Sequence, residues 1–146
     1  MVTLHWCLKQ KNGIQLIEPN NNLSKAYFLD ADDSLLAMER NKGKWAVVTS
    51  YYACYNALYA LLMKAGIKSE IHDCTLMLMS LLEFTAEELT FMKKLKQDRI
   101  DVQYYLRSVA DPEGLKIKSF VVKCKKFAAV LDQDKIMKIR GLVKNG

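Results

Sequence analysis

At 146 residues the chain is long enough for one domain with a core of its own. Its 51% hydrophobic and 26% charged content excludes a disordered tail, and 2 prolines with 6 glycines argue for helices over a turn-rich β architecture. The net charge of +6 lies wholly in residues 113–146, which hold nine Lys/Arg against three Asp/Glu. Such a segment either attracts phosphate backbones or is a helix face solvated by lysine.

The four cysteines, Cys7, Cys54, Cys74 and Cys124, lie far apart and form neither a CxxC pair nor a zinc spacing. They read as small buried hydrophobes in a reducing cytosol. The opening MVTLHWCLKQ has no basic segment followed by an apolar one, so no secretory signal is expected and the localisation is read as cytoplasmic.

In chain order, residues 1–19 stand apart from residues 20–146. LHWCLKQ and IQLIEP alternate loosely around KNG, which suggests a short hairpin or extended arm. A first helix is expected from about Leu23 to Asn41, where Leu23, Tyr27, Ala31, Leu35 and Met38 recur at helical spacing. A second runs from Lys44 to Ala65 and stops at Gly66, a residue suited to a left-handed cap. From Trp45 to Met63 it contains no charge, and four tyrosines crowd into SYYACYNALY. A helix apolar nearly all round must be covered nearly all round. The tyrosines and asparagine at mid-span are poor choices against lipid, so a central bundle helix with one face left for a second subunit is expected, and no membrane.

A third helix is expected over Ile71–Leu82, with its methionines as adaptable core filler. A fourth starts at Thr85, whose spacing to Glu88 is that of a capping box, and runs to about Val109 on a stripe of Leu89, Met92, Leu95, Val102, Leu106 and Val109. After the turn at Asp111–Gly114 a fifth covers Leu115–Leu131, and Asp134 opens a short sixth. The fold class is all-α: a four- to five-helix up-and-down bundle with a short N-terminal extended arm or hairpin.

Chemistry-bearing residues are few. The histidines are His5 and His72; the second opens the third helix, where its ring can cap the helix or touch a phosphate. No Ser/His/Asp order, glycine-rich phosphate loop or HExxH motif occurs, and neither a metal site nor a cofactor is expected. The polar stretch QDRIDVQYY on the fourth helix mixes charge, amide and phenol and holds the best candidates. Arg99 there either pairs with its neighbours Asp98 or Asp101 or meets a ligand.

Three pieces in order, spanning about residues 20–132, resemble the HEPN domain, a small prokaryotic and archaeal helical domain. LSKAYFLDADDSLLAMERNKGKWAVVTSYYACYNALYALLMKAGI is similar to the family's first two helices and their glycine stop. KSEIHD resembles the basic residue and histidine that open its third helix, and DRIDVQYY its arginine-centred signature.

The resemblance implies a bundle that dimerises, with Tyr51, Tyr52 and Tyr55 at the interface. Many members are metal-independent ribonucleases, often toxins, that use an arginine followed by four to six residues and a histidine. Here Arg99 matches the arginine, but Tyr104 stands five residues on and no histidine follows. A phenol titrating near about 10 is a poor base at neutral pH. The position at which some members carry a tyrosine that accepts adenylate is Leu106. The expectation is therefore a homodimer that binds a nucleotide or RNA and works with a small nucleotidyltransferase in a toxin–antitoxin-type pair. Arg99, Lys68, His72 and Asp101 are its phosphate-binding candidates, and Arg99 and Tyr104 carry any catalysis. The alternatives are a metal-independent ribonuclease toxin and a non-catalytic interaction module.

Overall fold

LHWCLK places Leu4, Cys7 and Leu8 on one helical face, and in the computed structural model, which describes residues 2–146, this segment forms α1 (Leu4–Lys9). Thr3 caps it by accepting from the Trp6 N–H at 3.1 Å. The expected hairpin is thus replaced by a helix whose Cys7 is fully buried while Leu4 and Leu8 pack on the core. The strand that follows, β1 (Ile14–Leu16), finds its partner far along the chain in β2 (Ile67–Ser69). The pair is antiparallel, with Ile14 opposite Ser69 and Leu16 opposite Ile67. A two-stranded ribbon needs support, and this one has it because Ile14, Ile67 and Ser69 are all buried.

The cysteine reading is corrected in one respect. Cys7 and Cys74 form a disulfide across 67 residues, tying α1 to α4 (His72–Met77); Cys54 and Cys124 are free and buried as expected. Nothing in the local spacing of Cys7 announces this partner, because α1 reaches α4 only through the fold.

The centre is α3 (Lys44–Ala65), flanked along its length by α2 (Asn21–Arg40). Ala46, Ser50, Ala53, Ala57 and Ala60 are all buried, and small side chains let backbones approach closely. The approach is close enough for Ser24 Oγ to donate to the Ala60 carbonyl at 2.8 Å. On its other sides α3 packs against α5 (Ala86–Tyr104), α6 (Gly114–Ala129) and α7 (Gln133–Lys144), and its Leu58, Leu61 and Leu62 are fully buried. Each such side chain contributes about 1.5–3 kcal/mol. No helix among the described residues is long and apolar enough to cross a membrane.

Gly66 ends α3 at φ 76° and ψ 43°, the left-handed cap its sequence position predicts. Nη1 of Arg140, from α7, donates to the carbonyls of Ile17 at 2.7 Å, Ala65 at 3.1 Å and Gly66 at 2.7 Å. A cation at a helix C-terminus satisfies carbonyls the helix leaves open.

The all-α class holds, but several helix bounds differ from the expected ones. The third helix ends at Met77 and continues as a 3₁₀ turn over Leu78–Leu81. The Thr85–Glu88 capping box is present in both directions, at 2.8 and 3.1 Å, yet α5 stops at Tyr104 and not at Val109. Leu106 enters the left-handed region at φ 52°, which no α-helix continues through. The fifth expected helix, α6, ends at Ala129, two residues early.

Candidate functional site

Met92, Leu95 and Val102 recur on the inward face of α5, and Arg99 occupies the turn between Leu95 and Val102 on that same stripe. The helix therefore drives a guanidinium into the bundle, where Arg99 is only 8% exposed. A buried cation is costly unless paired. Its Nη1 donates to the Tyr52 hydroxyl at 3.1 Å and to Gln103 Oε1 at 3.3 Å, while Nε has no partner. The guanidinium also lies 5.0, 5.5 and 5.8 Å from the ring centres of Tyr51, Tyr52 and Tyr104. Aromatic faces attract cations but do not neutralise them.

The ion pair that the neighbouring carboxylates offered does not form. Asp98 receives Lys94 at 2.8 Å, and Asp101 receives Gln97 at 2.9 Å and Arg107 at 3.5 Å. Among the described residues Arg99 is thus a buried cation held by neutral groups alone.

His72 reaches the same cluster from α4. Its ring stacks on Tyr55 at 4.2 Å and 13°, and its Nδ1 lies 2.7 Å from the Tyr51 hydroxyl. It is the first residue of α4 and makes no capping bond, so the expected capping role is not the one it plays. Burial, then the Arg99 and Lys96 charges, push its pKa below the ordinary 6.5 against the opposing pull of Asp73. Tyr51 is pushed far above the ordinary phenol range, chiefly by burial, and Tyr55 up to about 12 for the same first reason. Both partners of the Tyr51–His72 bond are therefore neutral at pH 7, and either can donate.

Behind this face a polar thread fixes the tyrosines. The Tyr55 hydroxyl meets Thr75 Oγ1 at 3.0 Å, Thr75 bonds Ser69 Oγ at 2.8 Å, and the Ser69 N–H donates to the Tyr59 hydroxyl at 3.2 Å. Tyr51, Tyr55 and Tyr59 stack in sequence at 5.5 and 6.0 Å. Lys96 pairs with Asp73 at 2.7 Å and so pins the start of α4 to α5.

Of the expected site residues, the fold brings together Arg99, Tyr104, His72, Tyr51, Tyr52 and Tyr55. Lys68 is not among them: it alternates with the buried Ile67 and Ser69 on β2, faces the other way, and pairs with Glu70 at 3.3 Å. Asp101 spends its carboxylate on Gln97 and Arg107. Tyr51 and Tyr55, expected at a dimer interface, are 0% and 8% exposed and covered by their own chain, because α4 and α5 close over them; Tyr52 is half-buried. Tyr51 and Gln103 were not expected as partners of the His72 and Arg99 side chains. Arg99 stood out in the sequence through the stretch QDRIDVQYY; the seven-residue gap between Leu95 and Val102 in the α5 stripe, within which it lies, is a further signal.

No group of three or more His, Cys, Asp or Glu side chains among the described residues is placed to hold a metal ion. The chain has no significant match among family models, curated proteins or solved structures.

Proposed function

We propose that this chain is an HEPN-like protein that binds a phosphate-bearing ligand, a nucleotide or RNA, at the Arg99 cluster. The observation that carries the reading is the Arg99 guanidinium, buried, without a carboxylate and with Nε unpartnered. A phosphate beside the guanidinium supplies the missing counter-charge, and charge-assisted contacts to phosphate are the ones arginine makes best. A second copy of the chain and a small nucleotidyltransferase are the partners the HEPN resemblance implies, and a toxin–antitoxin-type pairing is its setting. Titration calorimetry with ATP and with total RNA tests the reading: the protein binds and Arg99→Gln loses at least about tenfold, at roughly 1.4 kcal/mol per tenfold. Absence of binding by the intact protein, or equal binding by the variant, sinks it.

A metal-independent ribonuclease is the second reading, favoured by the placing of His72 beside Arg99 through Tyr51. In that reaction the RNA 2′-oxygen attacks phosphorus and the bond to the 5′-oxygen breaks. His72 Nε2 takes the 2′ proton when Nδ1–H donates to Tyr51, water returns a proton to the departing oxygen, and Arg99 faces the charge that builds on the phosphate. RNA cleavage in excess chelator, lost in both Arg99→Gln and His72→Ala, supports it. Intact RNA at high protein concentration excludes it.

A further inference from the structure

We propose that the Arg99 cluster continues outward into a base-stacking platform, built from Tyr104 and Tyr105, that selects an unpaired nucleic-acid strand over a mononucleotide or a duplex. This rests on the phosphate reading of Arg99 and names its substrate class.

Tyr104 and Tyr105 close α5, and both are largely exposed, at 65% and 63%. Each ring already carries a cation on one face: the Arg99 guanidinium lies 5.8 Å from the Tyr104 ring and that of Arg107 5.2 Å from Tyr105. Most of the surface of both residues is nonetheless open to solvent. The next residue, Leu106, is 78% exposed and sits at φ 52°, a conformation that costs a leucine energy. It is held there because the Arg107 N–H donates to the Asp101 carbonyl at 3.0 Å and its guanidinium reaches the Asp101 carboxylate at 3.5 Å. The left-handed step thus folds Arg107 back under Tyr105 and leaves three large apolar side chains in water.

The same end of the bundle carries a third such pair. Val48 packs with Val102, Tyr52 meets Arg99, and the Gly43 N–H donates to Asp111 Oδ1 at 3.1 Å, so the first turn of α3 lies beside the last turn of α5. There Trp45 is 54% exposed with Lys44 at 5.2 Å from its ring. Exposed rings interleaved with cations beside an unpaired buried arginine fit a chain of bases on a phosphate backbone. A mononucleotide offers a single base to stack, and a duplex hides its base faces.

The test uses the full chain with ATP, a fluorescein-labelled oligouridylate of about ten nucleotides, and a blunt RNA duplex of the same length. The single strand should bind at least about tenfold tighter than ATP or the duplex. Tyr104→Ala and Tyr105→Ala should each weaken it roughly tenfold, while Tyr104→Phe and Tyr105→Phe retain it, since stacking needs the ring and not the hydroxyl. A strand that binds no tighter than ATP, a duplex that binds equally, or alanine variants that leave the strand's affinity unchanged would each overturn the platform. Arg99-dependent ATP binding would then leave the phosphate reading standing, whereas loss of ATP and strand alike in the intact protein removes both. If the alanine variants change the sedimentation mass and not RNA affinity, the patch is a protein contact and the proposal fails.

Discussion

Arg99 on α5 donates from Nη1 to the Tyr52 hydroxyl on α3 at 3.1 Å, a bond that spans 47 residues and leaves the guanidinium with neutral partners only. The charge is therefore a stability cost that the fold retains. Arg99→Met, similar in length and apolar, is expected to keep the protein folded and raise its unfolding free energy by about 1 kcal/mol or leave it level. Urea unfolding measures this. A loss of several kcal/mol would show that the guanidinium is satisfied within the chain after all.

Gly66 admits no side chain. A Cβ there would lie 2.4 Å from the Ile17 carbonyl oxygen and 2.3 Å from Arg140 Nη1, at a φ of +76° that L-residues avoid. Gly66→Ala should cost about 1 kcal/mol from conformation alone and more from the backbone clash. Arg140→Met should cost about 2 kcal/mol by leaving the three carbonyls of its cap short of a donor. Thermal unfolding of the two variants is the check, and unchanged midpoints would contradict the cap.

The Cys7–Cys74 disulfide carries α1, a helix of six residues with few other neighbours. Cys7→Ala with Cys74→Ala should lower stability by about 2–4 kcal/mol in the oxidised protein. Hydrogen exchange should rise first in residues 4–9 and then at the start of α4, where His72 sits two residues before Cys74. Exchange that stays unchanged across both segments would mean that packing alone holds α1.

His72 makes stability depend on pH in a stated direction. Its folded pKa lies below the ordinary 6.5, first through burial and then through Arg99 and Lys96. Between that lowered value and 6.5 the unfolded chain binds more protons, so stability rises with pH through this window and is lost as pH falls through it. His72→Gln should flatten the slope below about pH 6.5. Equal slopes in the two proteins would show that His72 is not held neutral.

Fold class and most helix bounds were legible because apolar periodicity, the Gly66 stop and the Thr85–Glu88 box act locally. What escaped depends on distant partners. Ile14–Leu16 reads as half of a local hairpin until β2 appears beyond two helices of 20 and 22 residues, and Cys7 has no recognisable mate until α1 lands on α4. Arg99 and Tyr104 stood out as candidates, but their neighbourhood did not: His72 lies 27 positions before Arg99 and meets it only through the Tyr51 ring. No histidine follows Arg99 in the sequence, while His72 reaches its neighbourhood in space.

The side-chain Nε–H resonance of Arg99 tests the central claim most directly, because that group has no acceptor in the folded chain. Titrating ATP into ¹⁵N-labelled protein should move this signal alone among the arginines at first, along a saturating curve, and slow its exchange with water. A resonance that stays in place while ATP or RNA demonstrably binds would put the ligand elsewhere and leave Arg99 a buried charge without a task.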